Sequence, residues 1–97
     1  MIEIRVFGLR KGVTEEEFLA ADKRVQAEFS HLQPGFVRRT TARGANPQSW
    51  LVLSLWYSEG ALDAARAAAP SDPAAAAFDA LVDPATERVA RFEEIGG

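Results

Sequence analysis

The stretch Trp50-Leu51-Val52-Leu53-Ser54-Leu55-Trp56-Tyr57 constrains the fold more than any other part of this chain. Its residues alternate strictly, with Leu51, Leu53 and Leu55 on one side and Trp50, Val52, Ser54 and Trp56 on the other. That is the period of a β-strand. Both sides are largely apolar, so the strand needs cover on two faces, and one layer of helices supplies cover for only one.

The remaining elements follow from the same reading. Residues 2 to 9 form a strand by alternation, with Ile2, Ile4 and Val6 opposite Glu3, Arg5, Phe7 and Leu9. Arg10-Lys11-Gly12 turns the chain. Thr14-Glu15-Glu16-Glu17 is a capping box, and Val13 with Phe18 fits a hydrophobic staple. The helix it starts carries an apolar stripe of Phe18, Ala21, Val25, Phe29 and Leu32, with Asp22, Lys23 and Gln26 off it. Pro34-Gly35 ends that helix. Phe36 to Arg43 is a second strand, Gly44 to Gln48 a loop, and Trp50 to Tyr57 the third strand, antiparallel to the second. Ser58 caps the next helix, Pro70 breaks it, and Asp72-Pro73 restarts it with a cap and a proline at its first position. Ala77, Phe78, Leu81 and Val82 form the apolar face of this second piece, Asp83-Pro84 stops it, and Thr86 to Ile95 is a last strand.

The order β-α-β-β-α-β with right-handed crossovers is the ferredoxin-like α+β arrangement, a four-stranded antiparallel sheet with both helices on one face. All 97 residues form a single domain, 1–97. We expect Leu51, Leu53 and Leu55 to lie under the helices with Ile2, Ile4 and Val6. The other face then carries Phe7, Leu9, Trp50, Val52 and Trp56, a patch too large to leave in water. A second copy of the chain is the economical cover, giving a homodimer. Glu3, Arg5 and Ser54 share that face. Polar groups among aromatics suit either a small-molecule cavity or an ion pair at the dimer interface.

Composition narrows the chemistry. Eleven Lys and Arg against 14 Asp and Glu give a net charge of −3, a poor match to a nucleic-acid backbone. There is no cysteine and only one histidine, so disulfides, thiolate metal sites and multi-His centres are excluded. The N-terminus lacks a signal-peptide pattern and no apolar run is long enough to span a bilayer. We therefore expect a cytoplasmic protein that binds neither nucleic acid nor membrane. Its Ala- and Arg-rich usage points to a high-GC bacterial genome.

Pro34-Gly35 before strand two, the run Leu51 to Trp56, and Ser58, Ala61, Leu62 and Ala64 after it resemble the dimeric α/β-barrel superfamily, and within it the antibiotic-biosynthesis-monooxygenase-like group. The resemblance covers nearly the whole chain. It implies a homodimer in which two sheets face each other and each protomer keeps its own cavity. Some members are cofactor-free monooxygenases of aromatic polyketides, and others act on haem. Trp56 matches a cavity-lining tryptophan of the oxygenases. Many relatives carry a histidine shortly before a phenylalanine in helix two, and stress-responsive relatives carry one in strand one. Residues 73–78 and the strand Ile4-Arg5-Val6-Phe7 have none, so activities that depend on those histidines are not implied.

The candidate catalytic residues are Arg5, Arg38 and His31. Either arginine would stabilise an anionic oxygen, and His31 would act as a general base or a haem ligand, or is simply a partly exposed residue at a helix end. Arg38 and Arg39 are adjacent and point to opposite faces, and we take Arg38 as the cavity residue. Arg88 and Arg91 carry the same ambiguity. Phe7, Trp50, Ser54 and Trp56 are the candidate substrate-binding residues. No cofactor and no metal are expected. Two functions follow: a monooxygenase-like enzyme acting on an aromatic small molecule, or a non-catalytic homodimer that binds a small ligand or simply assembles. Loss of turnover in Arg5→Ala with the dimer intact would favour the first.

Overall fold

The doubly apolar strand is an interior strand of a four-stranded antiparallel sheet, in a computed structural model that describes residues 1–46 and 49–97. The elements are β1 (Ile2–Phe7), α1 (Glu15–Glu28), β2 (Phe36–Arg43), β3 (Trp50–Trp56), α2 (Glu59–Ala68), α3 (Pro73–Asp79) and β4 (Arg88–Phe92). Strand order is β2-β3-β1-β4, so β3 and β1 are interior and pair along both edges. This is the ferredoxin-like arrangement expected from the element order. Of the loop expected over Gly44–Gln48, Pro47 and Gln48 lie outside the described residues. Among the described residues no helix is long and apolar enough to cross a membrane.

The local signals operate as read. Thr14 accepts from the Glu17 amide at 3.1 Å while the Glu17 carboxylate accepts from the Thr14 amide at 3.3 Å. Ser58 accepts from Ala61 N–H, and Asp72 accepts from Ala75 N–H with Pro73 at the first helical position. Pro70 sits in a 3₁₀ turn, Ala69–Ser71, that joins α2 to α3. Gly35 is needed for its backbone, which has φ +80°, and for closeness: a Cβ there would lie 2.6 Å from the Ala61 Cβ.

Two ends differ from expectation. Helix α1 stops at Glu28, and a 3₁₀ turn over Ser30–Leu32 follows. The change of pitch rotates Leu32 out of the stripe, and it is 72% exposed. The last strand spans only Arg88–Phe92, shorter than Thr86 to Ile95.

The larger correction concerns which sheet face the helices cover. Glu3, Arg5, Phe7, Trp50, Val52, Ser54 and Trp56 are the buried positions of β1 and β3, whereas Ile2, Ile4, Val6, Leu51, Leu53 and Leu55 are half-buried on the other side. The aromatic face packs against Phe18, Val25 and Phe29 of the α1 region and Leu62, Ala65, Ala75 and Phe78 of α2 and α3. Alternation separates two faces but does not say which is covered. Strand pairing and the hand of the crossovers decide that, and here they leave the aliphatic face open.

Candidate functional site

Three buried or half-buried clusters of ion pairs tie the inner sheet face to its surroundings. Glu3, only 2% exposed, receives both Nε (3.0 Å) and Nη2 of Arg66 from α2, with Arg91 Nε 3.9 Å away. Arg5 donates Nε to Glu87 Oε2 at 2.6 Å and Nη2 to Asp79 Oδ1 at 3.1 Å. Arg39 donates Nη1 to Asp22 Oδ1 at 2.6 Å and to Thr41 Oγ1 at 3.1 Å, and the Thr41 hydroxyl donates to the same Asp22 oxygen at 2.8 Å. Both bonds of Arg39 leave from Nη1, so among the described residues its Nε and Nη2 edge has no protein acceptor. Burial lowers the pKa of Arg66, while Asp79 and Glu87 oppose that shift and Arg91 adds to it.

These charges surround a cavity of about 60 Å³ between sheet and helices. Trp56, Phe29 and Phe78 supply aromatic wall, Leu62, Ala65 and Ala69 the aliphatic wall, and Arg5, Arg39, Glu3 and Ser54 the polar groups. The Trp56 indole N–H donates to Ser54 Oγ at 2.9 Å, which fixes the ring and leaves the serine hydrogen free to donate elsewhere. The Arg39 guanidinium lies 5.2 Å from the centre of the Phe78 ring, and that of Arg5 lies 5.7 Å from it, within cation–π range. Glu3 and Asp79 also line the cavity and, with Glu87, hold Arg66 and Arg5, so the outer edge of Arg39, the Ser54 hydroxyl and the flat apolar walls are what suit a planar molecule bearing a negative oxygen.

Of the residues singled out from sequence, Arg5, Ser54 and Trp56 line this cavity and four do not. Phe7 and Trp50 lie deeper, in an aromatic cluster with Phe18. His31 is exposed on the 3₁₀ turn, its Nε2 3.5 Å from Gln26 Nε2. Its ring packs at a tilt against Phe36, 5.3 Å between centres, and Phe36 in turn lies against Trp56. Arg38 is exposed on the opposite sheet face, and Arg39 takes the inner position. A register shift between Phe36 and Arg38 is the cause: Phe36 pairs with Trp56, but Arg38 pairs with Leu55 and Arg39 with Ser54. The extra residue, Val37, reverses the alternation after it. Arg5 also points under the helices rather than out from the open sheet face, so Arg5→Ala does not probe that open face.

Asp22, Arg66, Asp79 and Phe78 were not recognised as site residues from the sequence. Asp22 falls at the helical interval between Phe18 and Val25, a signal overridden by its charge. Arg66 follows Leu62 by four residues and so shares its helix face. Among the described residues no group of three or more His, Cys, Asp or Glu is placed to hold a metal ion.

No protein-family model matches the sequence, and no curated protein sequence matches it. Solved structures do. A single-residue variant of SnoaB, a cofactor-independent oxygenase from Streptomyces nogalater, is 27% identical, with a TM-score of 0.79 over 99% of this chain and 93% of its own. A Bordetella bronchiseptica protein provisionally named an antibiotic biosynthesis monooxygenase is 16% identical, with a TM-score of 0.79 over 97% of this chain and 95% of its own. Arabidopsis thaliana At3g17210 is 15% identical, with a TM-score of 0.76 over 99% and 96%. At such identities the last two speak for the fold alone.

Proposed function

From the premise that this chain is built as an antibiotic-biosynthesis-monooxygenase-like α/β-barrel protein, we propose that it is an oxygenase acting on a small planar phenol or quinol held inside each protomer. One observation carries the reading. In a chain 27% identical to a cofactor-independent oxygenase over 99% of its length, the inner cavity joins the Trp56 wall, the Ser54 hydroxyl and the unengaged edge of Arg39. The substrate ring lies along Trp56. Its ionised oxygen accepts from Arg39 and Ser54, and the fixed positive charge favours the electron-rich anion. That anion reduces dioxygen directly. A ring carbon ortho or para to that oxygen, a C–H in the phenol and a CH₂ in its keto form, becomes C=O: one atom of dioxygen enters there, and the other leaves as water with that C–H hydrogen and the phenolic proton. The substrate supplies every electron, so the balance needs no bound cofactor.

Size favours a second reading. An apolar cavity of roughly 150 Å³ accepts benzene, and this one measures about 60 Å³. One ring already requires the cavity to widen, and a cavity that never widens fits the non-catalytic reading. Tryptophan fluorescence titrated with planar aromatic acids, anthrone-like quinols and haem separates the two. Saturable quenching that disappears in Trp56→Phe is expected, followed by incorporation of labelled oxygen during turnover. Absence of any response from every compound favours the non-catalytic reading.

We also propose that the open sheet face pairs with a second copy. Its centre is Ile2, Ile4, Val6, Leu51, Leu53 and Leu55, with exposed Phe92 beside Ile2. A contiguous aliphatic patch of this kind is unusual on a monomer. Leu53→Glu, at its centre, is expected to convert dimer to monomer in analytical ultracentrifugation. An unchanged mass would place the interface elsewhere.

A further inference from the structure

A second hollow, of about 440 Å³, opens on the surface beside β4. It shares four lining residues with the inner cavity: Glu3, Arg5, Arg66 and Asp79. These four form two ionic struts between β1 and the helices, Glu3 to Arg66 and Arg5 to Asp79. The struts therefore stand between solvent and the site.

We infer that this hollow is the vestibule of the cavity and that Arg66 is its entrance residue, which releases Glu3 to let a ligand pass. The inference rests on the inner cavity being the ligand site. The two struts are not equally fixed. The Arg5 side chain is 10% exposed and held by both Asp79 and Glu87, whereas the Arg66 side chain is 36% exposed and held by Glu3. Removing a cation from a buried carboxylate is normally costly. Here a replacement is in place: Arg91 Nε lies 3.9 Å from the Glu3 oxygen that accepts from Arg66 Nε. Arg91 is itself held by Asp63 at 2.6 Å and faces Glu59 at 3.6 Å, so it remains beside Glu3 when Arg66 moves. The freed guanidinium meets the vestibule carboxylates Asp79 and Glu87, or an anionic group on the incoming ligand. Its burial-lowered pKa agrees with a guanidinium that gains hydration on moving outward. Behind Arg66 the wall is Ala65 and Ala69, small side chains that offer little bulk against widening.

The test reads access without needing a substrate. In a Trp50→Phe background Trp56 is the sole tryptophan, and acrylamide quenching reports its accessibility. Trp56 also borders a hollow near the C-terminal residues, so the informative quantity is the rise over the parent. The variant is Arg66→Met with Glu3→Gln, which removes the strut without stranding a charge. The comparison variant is Arg43→Ala, which cuts the exposed strand-to-helix pair Arg43–Glu15 away from the cavity. The expected result is a several-fold larger quenching constant in the first variant only, with unchanged circular dichroism. An unchanged constant in the folded double variant, or an equal rise in Arg43→Ala, overturns the inference. If no aromatic compound binds while the double variant still opens to acrylamide, the proposed function fails, and what stands is the Glu3–Arg66 strut as the barrier between solvent and the inner cavity.

Discussion

Phe18→Ala is expected to destabilise the protein by about 3–5 kcal/mol, the usual cost of emptying a buried phenylalanine site. Phe18 is 0% exposed. Its ring centre lies 5.8 Å from that of Phe7, 4.7 Å from Trp50 and 5.4 Å from Phe78. It therefore joins α1, both interior strands and α3 at one point. Those neighbours belong to different elements, so the void cannot close without moving several of them. For a domain of this size the loss corresponds to a fall of about 15–30 °C in Tm. Thermal unfolding at fixed protein concentration measures it, since association makes Tm concentration-dependent. The adjacent Leu19, 39% exposed, is the control, and Leu19→Ala should change stability by no more than about 0.5–1 kcal/mol. Similar losses in the two variants would refute the central place given to Phe18.

Arg39→Ala is expected to cost a comparable amount for a different reason. The Arg39 and Asp22 side chains are 6% and 11% exposed. Deleting the cation strands a buried carboxylate whose one other partner among the described residues is the Thr41 hydroxyl, a situation that typically costs about 3–5 kcal/mol. Loss of ligand binding in that variant would be ambiguous. Arg39→Met with Asp22→Leu resolves it. Replacing both charges by apolar groups of similar volume is often neutral or stabilising by about 1–4 kcal/mol, less about 1 kcal/mol for the Thr41 hydroxyl left without its acceptor. The double variant should therefore unfold near the wild-type midpoint in urea, yet no longer bind planar aromatic acids. A folded double variant that binds them with wild-type affinity would remove Arg39 from the site.

These two residues also mark how far the sequence can be read. Phe18 was legible because a helix announces its own phase. Thr14 and Glu17 set the first turn, and each later apolar residue falls on the stripe by counting. The same counting failed at Leu32, where the helix gives way to a 3₁₀ turn that no residue type signals strongly. Arg39 was not legible. The choice between it and Arg38 rests on one extra residue at Val37, a bulge set by how β2 registers on β3. The cavity wall was half legible. Alternation puts Ser54 and Trp56 on a common face with Arg5, but Phe78, Asp79 and Arg66 come to them from helices far along the chain.

Local chemistry by itself determined the elements, their order and their caps, because capping bonds, proline geometry and alternation act within a few residues. It also determined that two sheet faces would both need cover. Only the tertiary structure decided which face the helices took. Both faces are apolar enough to be buried, so composition does not separate them. The hand of the crossovers chose the face bearing Glu3 and Arg5, and those charges tolerate burial because Arg66, Asp79 and Glu87 meet them there. Partners that lie 63, 74 and 82 residues apart become neighbours only once the chain has folded, and the site consists of such neighbours.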